Sequence, residues 1–142
     1  MRTLTIALLT CCPLAANAQA PNMKEGLWEI TTKTEMAGMP GGMKPMVAKQ
    51  CITKKDLEDP RRTTPGADPK DQRCQVTDYK TQGNTATWNV ACKGEGAMTG
   101  SGSVTYSGTS YTGVSTMKMK HGGQDHVMTL HYSGKHVGPC KS

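Results

Sequence analysis

The residues best suited to chemistry in this chain are sulfur and imidazole donors. Met36-x-x-Met39-x-x-x-Met43-x-x-Met46 places four thioethers in a stretch rich in Gly and Pro. Thioethers are soft ligands that suit Cu(I), and a glycine-rich loop can wrap a small ion. Met36, Met39, Met43 and Met46 are therefore candidate ligands for Cu(I) or Ag(I). The competing reading is a flexible loop that uses Met as soft apolar surface. Four histidines follow at five-residue intervals, His121, His126, His131 and His136. Imidazole suits copper, zinc and nickel. A separation of five sets His126 and His131 on opposite faces of a strand, so no single face collects all four. His121 falls in a turn and His136 beyond the strand. His126 can join Met117, Met119 and Met128 on one face, which makes it a fifth candidate ligand. Core packing competes there, because the chain has no Phe and Met is the natural filler.

Catalytic signatures are absent. There is no G-x-S-x-G and no recognisable arrangement of Ser, His and Asp. Gly94-x-Gly96 and Gly100-x-Gly102 lack the Lys and the following helix of a phosphate loop. Glycine at those positions is expected to permit a bend or close packing within a strand. Glu58-Asp59 lies in a polar stretch and is expected to be solvated. The chain is expected not to be an enzyme and to carry no cofactor.

Compartment follows from the first residues. Arg2 precedes an apolar run, Leu4 to Leu9, too short to span a bilayer as a helix of about 20 residues. Ala16-Asn17-Ala18 then provides the small-x-small pattern of a signal-peptidase site. Residues 1–18 are read as a cleaved Sec-type signal peptide, residues 19–142 as one β-rich domain, and the destination as the periplasm. Cys11 follows Thr10 and Cys12 follows Cys11, where a lipid-attachment site wants Gly, Ala or Ser, so both are read as part of the discarded peptide. No later apolar run approaches membrane length, so no membrane span is expected in the mature chain. Cleavage lowers the formal charge from +6 to +5, since Arg2 is the only charge removed. The densest basic stretch, Lys54 to Arg73, interleaves Asp56, Glu58, Asp59, Asp68 and Asp71. A nucleic-acid interface needs its bases gathered on one face, so that class is excluded.

The elements that must position these donors are strands. Leu27 to Met36 alternates, with Trp28, Ile30, Thr32 and Thr34 on one face. A Met-, Gly- and Pro-rich loop, 37–45, leads to a short strand over Val47 to Ile52. Thr53 with Asp56 reads as a cap for one helical turn after Cys51, over Lys54 to Glu58 and ended at Pro60. Residues 59–72 read as a polar surface loop. Three hairpins follow: 73–80 with 86–93 about Gln82-Gly83-Asn84, 97–107 with 110–120 about Gly108, and 110–120 with 125–133 about Gly122-Gly123. The fold class is mainly all-β, an antiparallel meander curled into a barrel or half-barrel.

Cys51, Cys74, Cys92 and Cys140 remain after cleavage and should form two disulfides in an oxidising compartment. A register centred on Gly83 opposes Cys74 to Cys92 and Val76 to Val90, which leaves Cys51 for Cys140. That second bridge closes a loop of about 90 residues and is worth up to roughly 4 kcal/mol by chain entropy. Cys51–Cys74 with Cys92–Cys140 is the rival connectivity, which would suit a bent polar loop over 53–72 and a tail crossing the sheet edge.

Several of these segments fall in a familiar order: Gly26-Leu27-Trp28-Glu29, Cys51-Ile52-Thr53, Cys74, Trp88-Asn89-Val90-Ala91-Cys92, residues 100–108, Ser110-Tyr111-Thr112-Gly113, and Gly138-Pro139-Cys140. Together they resemble the domain of unknown function 3617 family, small exported proteins of Gram-negative bacteria. The resemblance implies periplasmic residence and a β-rich fold, and supplies no catalytic residues. The function expected is non-catalytic binding of an envelope partner or a small apolar ligand on a concave sheet face, with Cu(I) or Ag(I) binding through the Met-rich loop as the alternative. If cleavage follows Ala18, intact-mass analysis of periplasmic protein will show a chain starting at Gln19. A lipidated mass starting at Cys11 or Cys12 would refute this.

Overall fold

The computed structural model describes residues 20–65 and 71–141. The expected signal peptide and its cleavage site lie outside them. Runs of Thr, Val, Ser and aromatic residues between glycine-bearing turns suit a pleated surface. Among the described residues seven strands form: β1 (Gly26–Met36), β2 (Met46–Ile52), β3 (Cys74–Gln82), β4 (Thr85–Cys92), β5 (Met98–Tyr106), β6 (Ser110–His121) and β7 (Gln124–Gly138). They make one antiparallel sheet in the order β2-β1-β7-β6-β5-β4-β3. β3 to β7 run as a meander, and the β1–β2 hairpin docks against β7. The sheet does not close. β2 and β3 are its two edges, so the form is a half-barrel.

Its curl follows from what faces what. Val76 on β3 and Leu130 on β7 line one cavity of about 200 Å³. In a flat sheet these strands would stand four spacings apart, roughly 19 Å. The inner face carries Trp28, Trp88, Val104, Tyr106, Tyr111 and Tyr132, all buried. Several of their cross-strand partners are glycines: Trp88 opposes Gly102, Tyr111 opposes Gly134, and Tyr132 opposes Gly113. A Cβ built at Gly102 would land on the Trp88 ring, and one at Gly134 on the Tyr111 ring. Glycine in a strand lets the sheet bend sharply, and an aromatic from the next strand covers the bare backbone.

The β3–β4 hairpin departs from the expected turn. Its loop is Gly83-Asn84, and Gln82 pairs with Thr85. Gly83 sits at φ 57°, which suits the first central residue of a tight hairpin turn. That shifts the register by one, yet Cys74 still faces Cys92 and Val76 faces Val90. A β-bulge between Thr77 and Lys80 restores the count, with Asp78 at φ 50° and accepting from Asn89 Nδ2 at 2.9 Å. Asp tolerates the left-handed region better than most residues. Cys74 is bonded to Cys92, and Cys51 to Cys140 across 89 positions.

Between β2 and β3 the chain turns under the sheet. α1 (Lys54–Glu58) opens with a capping box in which Thr53 and Asp56 exchange side-chain-to-backbone bonds. Pro60 does not stop the helical segment. It begins α2 (Pro60–Thr63), where its missing N–H costs nothing and Asp59 caps the Arg61 amide at 3.1 Å. The stretch expected as a surface loop then enters the interior. Thr63 and Thr64 are buried, and the Thr63 carbonyl accepts the Tyr106 hydroxyl at 3.2 Å. The physical reason is the open sheet, whose inner face must be covered by something other than another strand.

Gly102→Val should lower stability by about 1–3 kcal/mol, because the new side chain must displace the Trp88 ring. Ser101→Val, one residue away on the outer face, should change it by under about 0.5 kcal/mol. Thermal unfolding of both variants checks this, and equal effects would reject the aromatic–glycine account. The buried phenols set an alkaline limit. Burial pushes the Tyr106 and Tyr132 hydroxyls up and Tyr111 up to about 12. Each folded value lies above the unfolded one of about 10, so this stability is complete below pH 10 and lost as pH rises through the raised values. Tyr111→Phe should flatten part of that loss in denaturant titrations between pH 9 and 12.

Candidate functional site

The aromatic–glycine pairs pack one end of the inner face tightly, and the other end stays open. Toward the β6–β7 turn the inward positions change from aromatic to thioether. By register Met98 faces Met119, Met117 faces Met128, and Met128 also faces Met36 on β1. Gly100 lies beside Met117, and a Cβ there would meet the Met117 sulfur. The cavity of about 200 Å³ sits at the junction of the two zones. Trp88, Val76 and Val90 wall it on one side and Met98, Met117, Met128 and Leu130 on the other. Pro65, delivered by the segment after α2, closes over it. Its polar groups are hydroxyls, and Ser115 Oγ and Tyr132 Oη are bonded to each other at 2.9 Å.

A second depression of about 350 Å³ adjoins it through Met98, with Met119, Lys118, Lys120 and Asp125 on its rim. The outer face carries a polar groove of about 420 Å³ along Asp78, Lys80, Asn89, Ser101 and Thr116. The groove is open to solvent, and its neighbouring Asp78 and Asn89 already bond each other. The charge clusters with displaced titration lie elsewhere. Hydrogen bonds from Lys33, then its charge and that of His131, hold the Glu35 carboxyl below its usual value. Asp59 and Asp71 are lowered in the same way, chiefly by hydrogen bonds from Arg61 and Arg73. All are surface pairs, at the start of α2, on the loop before β3 or on the outer face.

The candidate donors separate. Met39, Met43 and Met46 are 49, 51 and 70% exposed around the β1–β2 connection, whereas Met36 is half-buried beside Met128. Met46 pairs with Thr32, four strand positions from Met36, a distance of roughly 13 Å. His126 is exposed opposite Met119, with its ring 6.4 Å from that of His121. His131 turns to the outer face, 3.6 Å from Glu35. His136 was expected beyond the strand, but β7 runs on to Gly138 because β1 pairs along its free side. Its ring stands edge-on to Trp28 at 5.8 Å, and its Nε2 lies 3.1 Å from the Glu25 carbonyl oxygen.

Sequence reasoning missed three cavity residues, Met98, Ser115 and Pro65. Met98 was within reach, since the Tyr106–Tyr111 pairing carried down the same hairpin sets it opposite Met119. Pro65 carried no signal, because only the covering of the open face brings it inward.

Among known proteins, no match was found in the curated set or among solved structures. One family profile, Protein of unknown function (DUF3617), matches residues 23–140, which spans all seven strands and both disulfides. The chain belongs to that family of proteins of unknown function.

Proposed function

We propose that this is a non-catalytic periplasmic binding protein that takes a small apolar ligand, a single ring or a short alkyl chain, into the concave face of its sheet. The observation that carries the reading is the cavity of about 200 Å³ between Trp88, the methionine wall and Pro65. An apolar cavity of about 150 Å³ is large enough to bind benzene. Apolar walls with a few placed polar groups are the usual make-up of a ligand site, and here Ser115 and Tyr132 supply the polar groups. Their hydroxyls orient a ligand without offering a base, and among the described residues the cavity wall holds no carboxylate or imidazole. Two disulfides in a small domain support an oxidising compartment, as do the signal-like first residues.

Ligand binding to the folded state alone stabilises by RT ln(1 + [L]/Kd), about 1.4 kcal/mol at tenfold excess over Kd. Saturating toluene or 1-hexanol should therefore raise the melting temperature by roughly 4 °C for a domain of this size. Val90→Phe, which fills the cavity from its wall, should fold and lose the shift. An unchanged melting temperature with both probes would reject the proposal.

A further inference from the structure

We infer that the thioether end of the concave cavity is a site for one soft monovalent metal ion, Cu(I) or Ag(I). Met98, Met117 and Met128 line the same cavity from three consecutive strands, β5, β6 and β7. Met119 and Met36 flank them by direct pairing with Met98 and Met128. Half of the ten methionines in the chain thus meet on one patch of one face. Their arrangement differs from that of packing residues. Methionine is the most adaptable filler of apolar gaps, yet three of these side chains border a space of about 200 Å³ that no side chain fills.

The donor set chooses the ion. Thioether sulfur is a soft, neutral donor that favours Cu(I) over Mg²⁺, Ca²⁺ or Mn²⁺, which want oxygen. Among the described residues no three His, Cys, Asp or Glu converge as an alternative metal site. The four cysteines among the described residues are tied in disulfides, which leaves thioethers as their only free sulfur donors. A singly charged, weakly hydrated ion is also the one a neutral cavity wall tolerates best, since the cost of burying charge climbs steeply with charge. Strand positions hold the donors more firmly than the exposed loop methionines would, because the ladder hydrogen bonds fix their backbones. Met117 is held further by its seat over Gly100.

The inference rests on the cavity being open to ligands and names a different occupant for its methionine wall. Ag(I), which needs no reductant, is the probe. Titrated into the full mature protein with methyl-¹³C methionine labelling, one equivalent should shift the Met98, Met117 and Met128 methyl signals and quench Trp88, which lines the same cavity. Met117→Leu with Met128→Leu conserves volume and should fold. It should bind Ag(I) roughly a hundredfold more weakly, about tenfold for each donor lost. Met39→Leu with Met43→Leu should leave binding unchanged. Shifts confined to Met39 and Met43, unchanged affinity in the Met117/Met128 variant, or no binding at all would each overturn the metal site. A melting shift with toluene beside a failed silver titration rejects the metal and keeps the cavity; failure of both rejects both.

Discussion

Everything in this molecule depends on laying large rings over bare backbone. The chain has no Phe and only six Trp and Tyr residues, too few for a layered core of the usual kind. Trp88 over Gly102 and Tyr111 over Gly134 solve this by letting one ring occupy the room of two side chains. Each pairing removes a Cβ from the inner face and so lets the strands close toward one another there. The sheet curls around its own aromatic residues, and the curl brings Trp28 on β1 within 5.7 Å of Tyr111 on β6, with β7 between them.

A curled sheet that does not close has an open side, and the rest of the structure answers that. The segment from Thr53 to Pro65 is too polar to add a strand, yet its backbone can satisfy a buried phenol, as Thr63 does for Tyr106. The two disulfides act at the two edges. Cys74–Cys92 joins the edge strand β3 to β4, and Cys51–Cys140 ties the end of β2 to the tail beyond β7. Covalent ties there limit fraying where ladder hydrogen bonds are lost on one side. The cavity is what remains where ring packing ends and thioethers begin, so the fold and the cavity share one cause.

The legible parts of the fold were those decided between neighbours in sequence. The β5–β6 and β6–β7 registers follow from glycine turns and the two-residue alternation of side chains, and Tyr106 meets Tyr111 as that alternation requires. The β3–β4 hairpin shows how far such reasoning reaches. Its far end has the expected register only because the bulge at Asp78 and Tyr79 offsets a turn one residue shorter than expected. Periodicity counts residues and cannot see a bulge, which is set by packing Val76 and Tyr79 onto the same inner face.

By itself the sequence determined the strands, the helical cap at Thr53, the aromatic inner faces and the family, because each rests on local spacing or ordered motifs. Only the tertiary structure decided that β1 pairs with β7, which carries the last strand through His136 to Gly138. It also decided that Pro60 opens a second helix, and that Pro65 covers the cavity. Above all it decided which methionines meet. Met36, Met39, Met43 and Met46 are close in sequence and scatter between solvent and sheet, while Met98, Met117 and Met128 are distant in sequence and share one wall. The reason is that cross-strand neighbours are set by pairing across the whole sheet, and sequence proximity governs contact only within a turn.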